Sequence, residues 1–545
     1  MTTIAAMPHA AVRRCPPRAA AVRALPAALL AAAAATGVAA SPAAPDAKAA
    51  PGAAGAAPTP CRLSGVEHGA LCGSVRRPLD PEQAAGVQID VHYAVLPAVA
   101  RNKRPDPVFV FAGGPGQSAM ALAGTMAGVL ARLGNRRDIV LVDQRGTGRS
   151  APLACPSLPP SQALAESTVE RVLARLRACR ATLQALPHGD LRHYTTHVAM
   201  ADVDAVRRAL GAEHINVVGA SYGTRAALEY QRQFPQAVRR AVLDGAVPPD
   251  MALPQALAAD AEAALEHVFA ACDKDAACRD RHPGLRARWS QLLEAPPRTV
   301  RMTNPLDGRS EAVEVSADLL RNLVRAPLYV PALAAALPPA MAAATEGRLE
   351  PLAALGASLA TRRELQLAEG MHFAVVCSED VLAASAAPGA VGPGGGVAGA
   401  GGAGGAGGAG GTGSAAARGP GVGPARLYAQ ACDDWPRGPV PAAFYRIGAA
   451  PAATLVLSGG ADPATPPRHG ERVVRALGAK ARHVVVAEAG HGLMGLPCMR
   501  DVLFRFIDAA DDAAALAVPT DCAAGVPRPP VFAPPGAASA PGAGR

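Results

Sequence analysis

Short, mostly apolar runs recur along the chain, each closed by a glycine-rich or acidic turn: Asp106 to Phe111, Asp138 to Val142, Ile215 to Val218 with Asn216 inside it, Val238 to Leu243 with Arg239 and Arg240 inside it, and Ala453 to Leu457. Runs of this kind are strands covered on both faces, as in a parallel sheet. Gln88 to Val95 (QIDVHYAV) alternates polar and apolar instead, which predicts a half-buried strand at an antiparallel edge. Between the runs the period lengthens to that of a helix: Ala199, Val203, Val206 and Leu210 share one face, and 160–186 and Thr224 to Phe234 also read as helical. Strand, helix and strand at this spacing predict an α/β fold, a mostly parallel sheet with right-handed crossovers and helices on both faces.

From about Pro248 the pattern turns helical, through 254–270, 284–294, 317–327, 331–345 and 348–367, with one β-like patch from Arg298 to Val315. Met371 to Val376 reads as a strand returning to the sheet. The expected organisation is a core in two parts, 61–247 and 441–530, split by a helical cap over 248–440. Within the cap, 386–424 is almost pure Gly, Ala and Pro with a GGA triplet repeat, a composition that makes a flexible loop rather than a packed element.

Composition sharpens the ends. Arg13, Arg14, Arg18 and Arg23 precede an apolar run from Ala24 to Ala35 and the small residues Val38-Ala39-Ala40, which predicts a signal peptide over 1–40. An Ala/Pro-rich tether (41–60) and a loose tail (531–545) complete the expectation. With no acid before Asp46, removal of the leader lowers the formal net charge from +9 to +5. So small a surplus argues against a nucleic-acid partner, and no stable membrane insertion is expected once the leader is gone. Ten cysteines remain of eleven, and neither C-x-x-C nor H-E-x-x-H occurs. Disulfides paired in sequence order in an oxidising compartment, periplasmic or extracellular, are therefore expected, with no metal and no cofactor.

The chemistry concentrates at INVVGASYGTR, Ile215 to Arg225. A strand running into Gly219-Ala220-Ser221-Tyr222-Gly223 and then a helix is the pattern of a nucleophile elbow, with Ser221 exposed at the tip of a tight turn. A serine nucleophile needs a base and an orienting carboxylate. In the α/β-hydrolase fold these follow in the order serine, acid, histidine, on loops after strands. Asp462, in Gly460-Ala461-Asp462-Pro463, and His491, in Gly490-His491-Gly492, meet that order; Asp244 is the reserve acid. Gly113-Gly114-Pro115-Gly116 follows a strand where half of an oxyanion hole belongs, and since Pro115 has no N–H, Gly114 is the expected donor. Asp143 and Arg145 are expected to brace the adjoining loops.

The GGPG loop, the DQRGTGRS run from Asp143 to Ser150, the elbow, Ala461-Asp462-Pro463 with Thr465-Pro466, and Gly-His-Gly together resemble the exported branch of the prolyl aminopeptidase and tripeptidyl aminopeptidase family of α/β-hydrolases. The resemblance implies a serine exopeptidase acting on peptides with a free N-terminus, with Tyr222 as second oxyanion donor and acidic cap residues holding the substrate ammonium. Glu379 and Asp380 are the candidates for that role. Ala112 stands where the family loop usually has histidine, a departure that bears on how the loop is braced. An esterase with the same triad, and a non-catalytic binding protein on a hydrolase scaffold, are the competing readings.

Overall fold

The computed structural model describes residues 57–359, 362, 365–386 and 422–533, all within one compact unit. The expected leader, most of the tether, 387–421 of the Gly-rich loop and the tail from 534 lie outside the described residues.

Eleven strands are present among them: β1 (Thr59–Cys61), β2 (Ala70–Pro78), β3 (Gln88–Leu96), β4 (Val108–Phe111), β5 (Ile139–Val142), β6 (Ile215–Ala220), β7 (Val238–Asp244), β8 (Arg298–Thr303), β9 (Ser310–Val315), β10 (Thr454–Gly459) and β11 (Ala481–Val486). Nine form one sheet in the order β1-β2-β3-β5-β4-β6-β7-β10-β11. β5, β4, β6, β7, β10 and β11 run parallel, whereas β1, β2 and β3 pair antiparallel, and β3 joins β5 antiparallel. β4 and β5 are buried along their whole length, as continuous apolar runs require. Neighbouring residues go to opposite faces: Val217 packs with Phe109 and Val140 on one side, Val218 with Val108 and Leu141 on the other.

Two expectations at this edge change. Residue 59 already belongs to a strand, so the tether ends earlier than 60. β3 is not an edge strand, because β2 covers it. The β2 sequence, ALCGSVRRP, carries a glycine, a proline and two arginines that hide its period.

After β4 the chain crosses to β5 on one side, then returns past β4 to β6 on the other. The carboxyl ends of β4 and β6 therefore flank the point where strand order reverses, which is where open α/β sheets form a crevice for ligands.

The inserted segment has its own apolar core around Trp289, Leu320, Leu337 and Met341, with β8 and β9 as a hairpin. Met371 to Val376 is not a strand: Glu369–Ala386 is a helix. A short apolar run buried on all sides has no periodicity that separates the two. The ten cysteines form Cys61–Cys72, Cys155–Cys179, Cys272–Cys278, Cys377–Cys432 and Cys498–Cys522, the sequence-order pairing. Among the described residues no helix is long and apolar enough to cross a membrane.

Candidate active site

Ser221 stands between β6 and the helix Tyr222–Gln233, with φ at 55°. That left-handed backbone is costly for a side-chain-bearing residue, by about 1–3 kcal/mol, and persists only where its surroundings dictate it. Here they do. The Ser221 N–H donates to the Asp244 carbonyl at 2.8 Å, and its own carbonyl accepts from Thr224 N–H (2.8 Å) and Thr224 Oγ1 (2.7 Å). A Cβ at Gly219 would lie 2.4 Å from the Gly223 carbonyl oxygen, and one at Gly223 would lie 2.1 Å from that of Phe111. The two glycines are thus what lets strand and helix close around the serine.

Asp462 follows β10 and His491 follows β11. His491 Nδ1 lies 2.8 Å from Asp462 Oδ2, and since a carboxylate only accepts, Nδ1 carries the proton. Asp462 Oδ1 accepts from the Ala464 and Thr465 N–H groups at 2.8 and 2.9 Å, while Thr465 Oγ1 donates to Oδ2 at 2.7 Å and lies 3.2 Å from His491 Nδ1. Burial pushes both groups toward their neutral forms, but the opposed charges and shared hydrogen bonds outweigh it. The His491 pKa is raised and the Asp462 pKa lowered. Asp244 does not touch the imidazole; its carboxylate receives the Leu493 and Met494 N–H groups at 2.9 and 2.8 Å and so anchors the loop beyond His491.

Ser221 and His491 face one cavity of about 740 Å³, together with Gly113, Gly114 and Tyr222. Gly113 N–H is occupied by Gln117 Oε1 at 3.1 Å. Tyr222 is the first residue of its helix, where N–H groups have no intrahelical acceptor. Asp143 and Arg145 are structural. Asp143 accepts from Ser118 Oγ (2.6 Å) and Met120 N–H (3.0 Å), and Arg145 forms a buried bidentate pair with Asp202 at 2.7 and 3.0 Å.

Glu379 and Asp380 are not brought to this cavity. Because their segment is helical, both side chains turn inward, fully buried. Arg225 donates to Asp380 Oδ1 at 2.7 Å, and Glu379 accepts from Thr196 N–H (2.6 Å) and Thr196 Oγ1 (3.0 Å). Burial, opposed by the Arg225 charge, raises the Glu379 pKa to about 7. The acid that does line the cavity is Glu369, ten residues earlier on the same helix.

Residues of the segment after Pro248 also hold the loops around His491 and Gly116. The His491 N–H donates to the Tyr329 carbonyl at 3.0 Å, and the two rings meet edge to face at 5.1 Å. Ala368 N–H donates to the Gly116 carbonyl at 2.9 Å, and His372 Nδ1 lies 3.2 Å from the Pro115 carbonyl. His372 is held neutral chiefly by burial, its pKa lowered to about 4, so Nδ1 can donate while Nε2 accepts from the Tyr428 hydroxyl at 2.8 Å. His372 thus braces the glycine loop from the cap side, with Ala112 at the loop's start. Tyr329, Glu369 and His372 carry no local motif; they reach the site only through tertiary packing.

The "alpha/beta hydrolase fold" family matches residues 106–278 and the "TAP-like protein" family matches 419–514. The two matches reach into the 248–440 segment from either side and include Ser221 in one and Asp462 and His491 in the other. Together they give the chain an α/β-hydrolase fold and a likeness to TAP-like proteins. Serine protease Hip1 of Mycobacterium tuberculosis is 31% identical over 245 residues, 40% of this chain and 45% of that protein. Tripeptidyl aminopeptidase of Streptomyces lividans is 32% identical over 197 residues, 33% of this chain and 35% of that protein. The chain therefore aligns with less than half the length of these relatives.

Proposed function

We propose that the chain is an exported serine aminopeptidase, cleaving peptides near a free N-terminus through Ser221, His491 and Asp462. The observation that carries this reading is the His491–Asp462 pair opening on the same cavity as Ser221. His491 Nε2 takes the Ser221 hydroxyl proton as Oγ attacks the scissile carbonyl carbon. The resulting oxyanion is held by the N–H groups of Gly114 and Tyr222. Collapse breaks the C–N bond, and the His491 proton goes to the leaving amine. Water, deprotonated by His491, then attacks the acyl-enzyme, and Ser221 recovers its proton as the acid product leaves. Glu369 is the carboxylate available to a substrate ammonium. Five disulfides support an oxidising destination.

Anilide substrates of proline, alanine and Ala-Ala-Pro, each with a free and an acetylated N-terminus, test this reading against a Ser221→Ala blank. Strong loss on acetylation is expected, and the best free substrate distinguishes prolyl from tripeptidyl release. Equal rates would transfer the site to the esterase reading. Failure of a fluorophosphonate to label Ser221 would leave a binding protein.

A further inference from the structure

Among the described residues lining the cavity, Arg325 and Glu369 are the only Lys, Arg, Asp or Glu side chains. They are not equivalent. Glu369 has a partner, Arg175, at 3.6 Å. Arg325 makes no ion pair or side-chain hydrogen bond with any described residue. It lies in the last turn of the helix Ala317–Leu328, partly buried, and its positive field falls on Tyr329, His372 and Tyr428, all of which line the same cavity. Tyr329 is four residues further on, so both side chains leave the same face of the backbone. Tyr329 in turn packs on the His491 ring, and both line the cavity with Arg325.

A guanidinium is always charged, and its planar fork matches a carboxylate. Lining the cavity beside these ring side chains and with no described carboxylate paired to it, it offers a positive charge to whatever enters. We propose that Arg325 is a carboxylate-binding subsite, selecting peptides that carry a carboxylate close to the scissile bond. Two sources supply that group: an acidic side chain beside the bond, or the C-terminus of a very short peptide. The inference rests on the peptidase reading above.

The test uses the full chain and two substrate pairs, Glu against Gln beside the scissile bond, and a short peptide ending in a free acid against its amide. The expected result is a preference for the acid of about ten- to hundredfold in kcat/KM, carried by KM and abolished by Arg325→Gln. Arg325→Lys, which keeps the charge but loses the fork, is expected to retain part of it. A preference in the first pair identifies a side chain as the source, and in the second the peptide terminus; preference in both means that either is accepted. Equal handling of both pairs by the wild type overturns the proposal. So does an Arg325→Gln variant that lowers all four substrates by the same factor. If the wild type cleaves no peptide while Ser221 still reacts with a fluorophosphonate, the peptidase reading has failed. The same four peptides are then titrated onto the Ser221→Ala protein, where absence of an acid preference overturns the subsite as well.

Discussion

Replacing Asp462 by asparagine should disable the site without unfolding it, and the structure dictates how. Oδ1 is held by two main-chain N–H groups, those of Ala464 and Thr465, which only donate. An asparagine must therefore keep its carbonyl oxygen there and place its amide nitrogen where Oδ2 was, against His491 Nδ1 and Thr465 Oγ1. An amide N–H facing Nδ1 forces that nitrogen to accept, which moves the ring proton to Nε2, the atom that must be empty to receive the serine proton. Wrong-tautomer variants of this kind lose about 10,000-fold in kcat, or about 5 kcal/mol of transition-state stabilisation. Steady-state kinetics on a free-amine anilide reads kcat and KM separately, and a urea melt reads stability. KM and the melt should change little. Asp244→Asn is the control: it weakens the support of Leu493 and Met494 but leaves the imidazole paired, so its kcat loss should be much smaller. An Asp462→Asn kcat within tenfold of wild type, or an equal loss in Asp244→Asn, would refute the tautomer argument.

Thr465→Val removes a donor to Asp462 Oδ2 and should lower kcat by about tenfold with little effect on KM, the scale of one charge-assisted hydrogen bond. Because the His491 pKa is raised and the base must be neutral, kcat/KM should fall on acidification with a midpoint above the ordinary 6.5, and Asp462→Asn should move that midpoint down. Glu379 concerns stability. Its folded pKa, about 7 against 4.5 unfolded, means that the folded state holds the proton more tightly. The contribution is full below pH 4.5 and is lost as pH rises to about 7, at about 1.4 kcal/mol per pH unit. Urea melts of wild type and Glu379→Gln from pH 4.5 to 8 should diverge by that slope, the difference between the two isolating Glu379; parallel curves would exclude Glu379 as its source.

The parts of the fold that were legible in the chain are those fixed by local constraint. Ser221 stands out because two close backbone contacts demand Gly219 and Gly223, and those glycines are visible in any reading. Asp462 and His491 follow from strand order. Arg225, Glu379 and Asp380 show the limit. Three charged residues meet in the interior only because two helices face one another, and an apolar segment that reads equally as strand or helix gave no sign of which way Glu379 would point. Glu369 and Arg325 were hidden for the same reason: each looks like an ordinary charge at a helix end until the cavity is assembled around it.

The inserted segment cannot be treated as a removable cover. Its Tyr329 carbonyl fastens the loop bearing His491, and Ala368 and His372 fasten the glycine loop. Any chimaera that exchanges this insertion for that of a relative must therefore carry those three attachments with it. A graft chosen only for the shape of its binding pocket would bring new selectivity to a poorly aligned nucleophile. Directed evolution of specificity here should vary the wall between these attachment points and leave the points themselves alone.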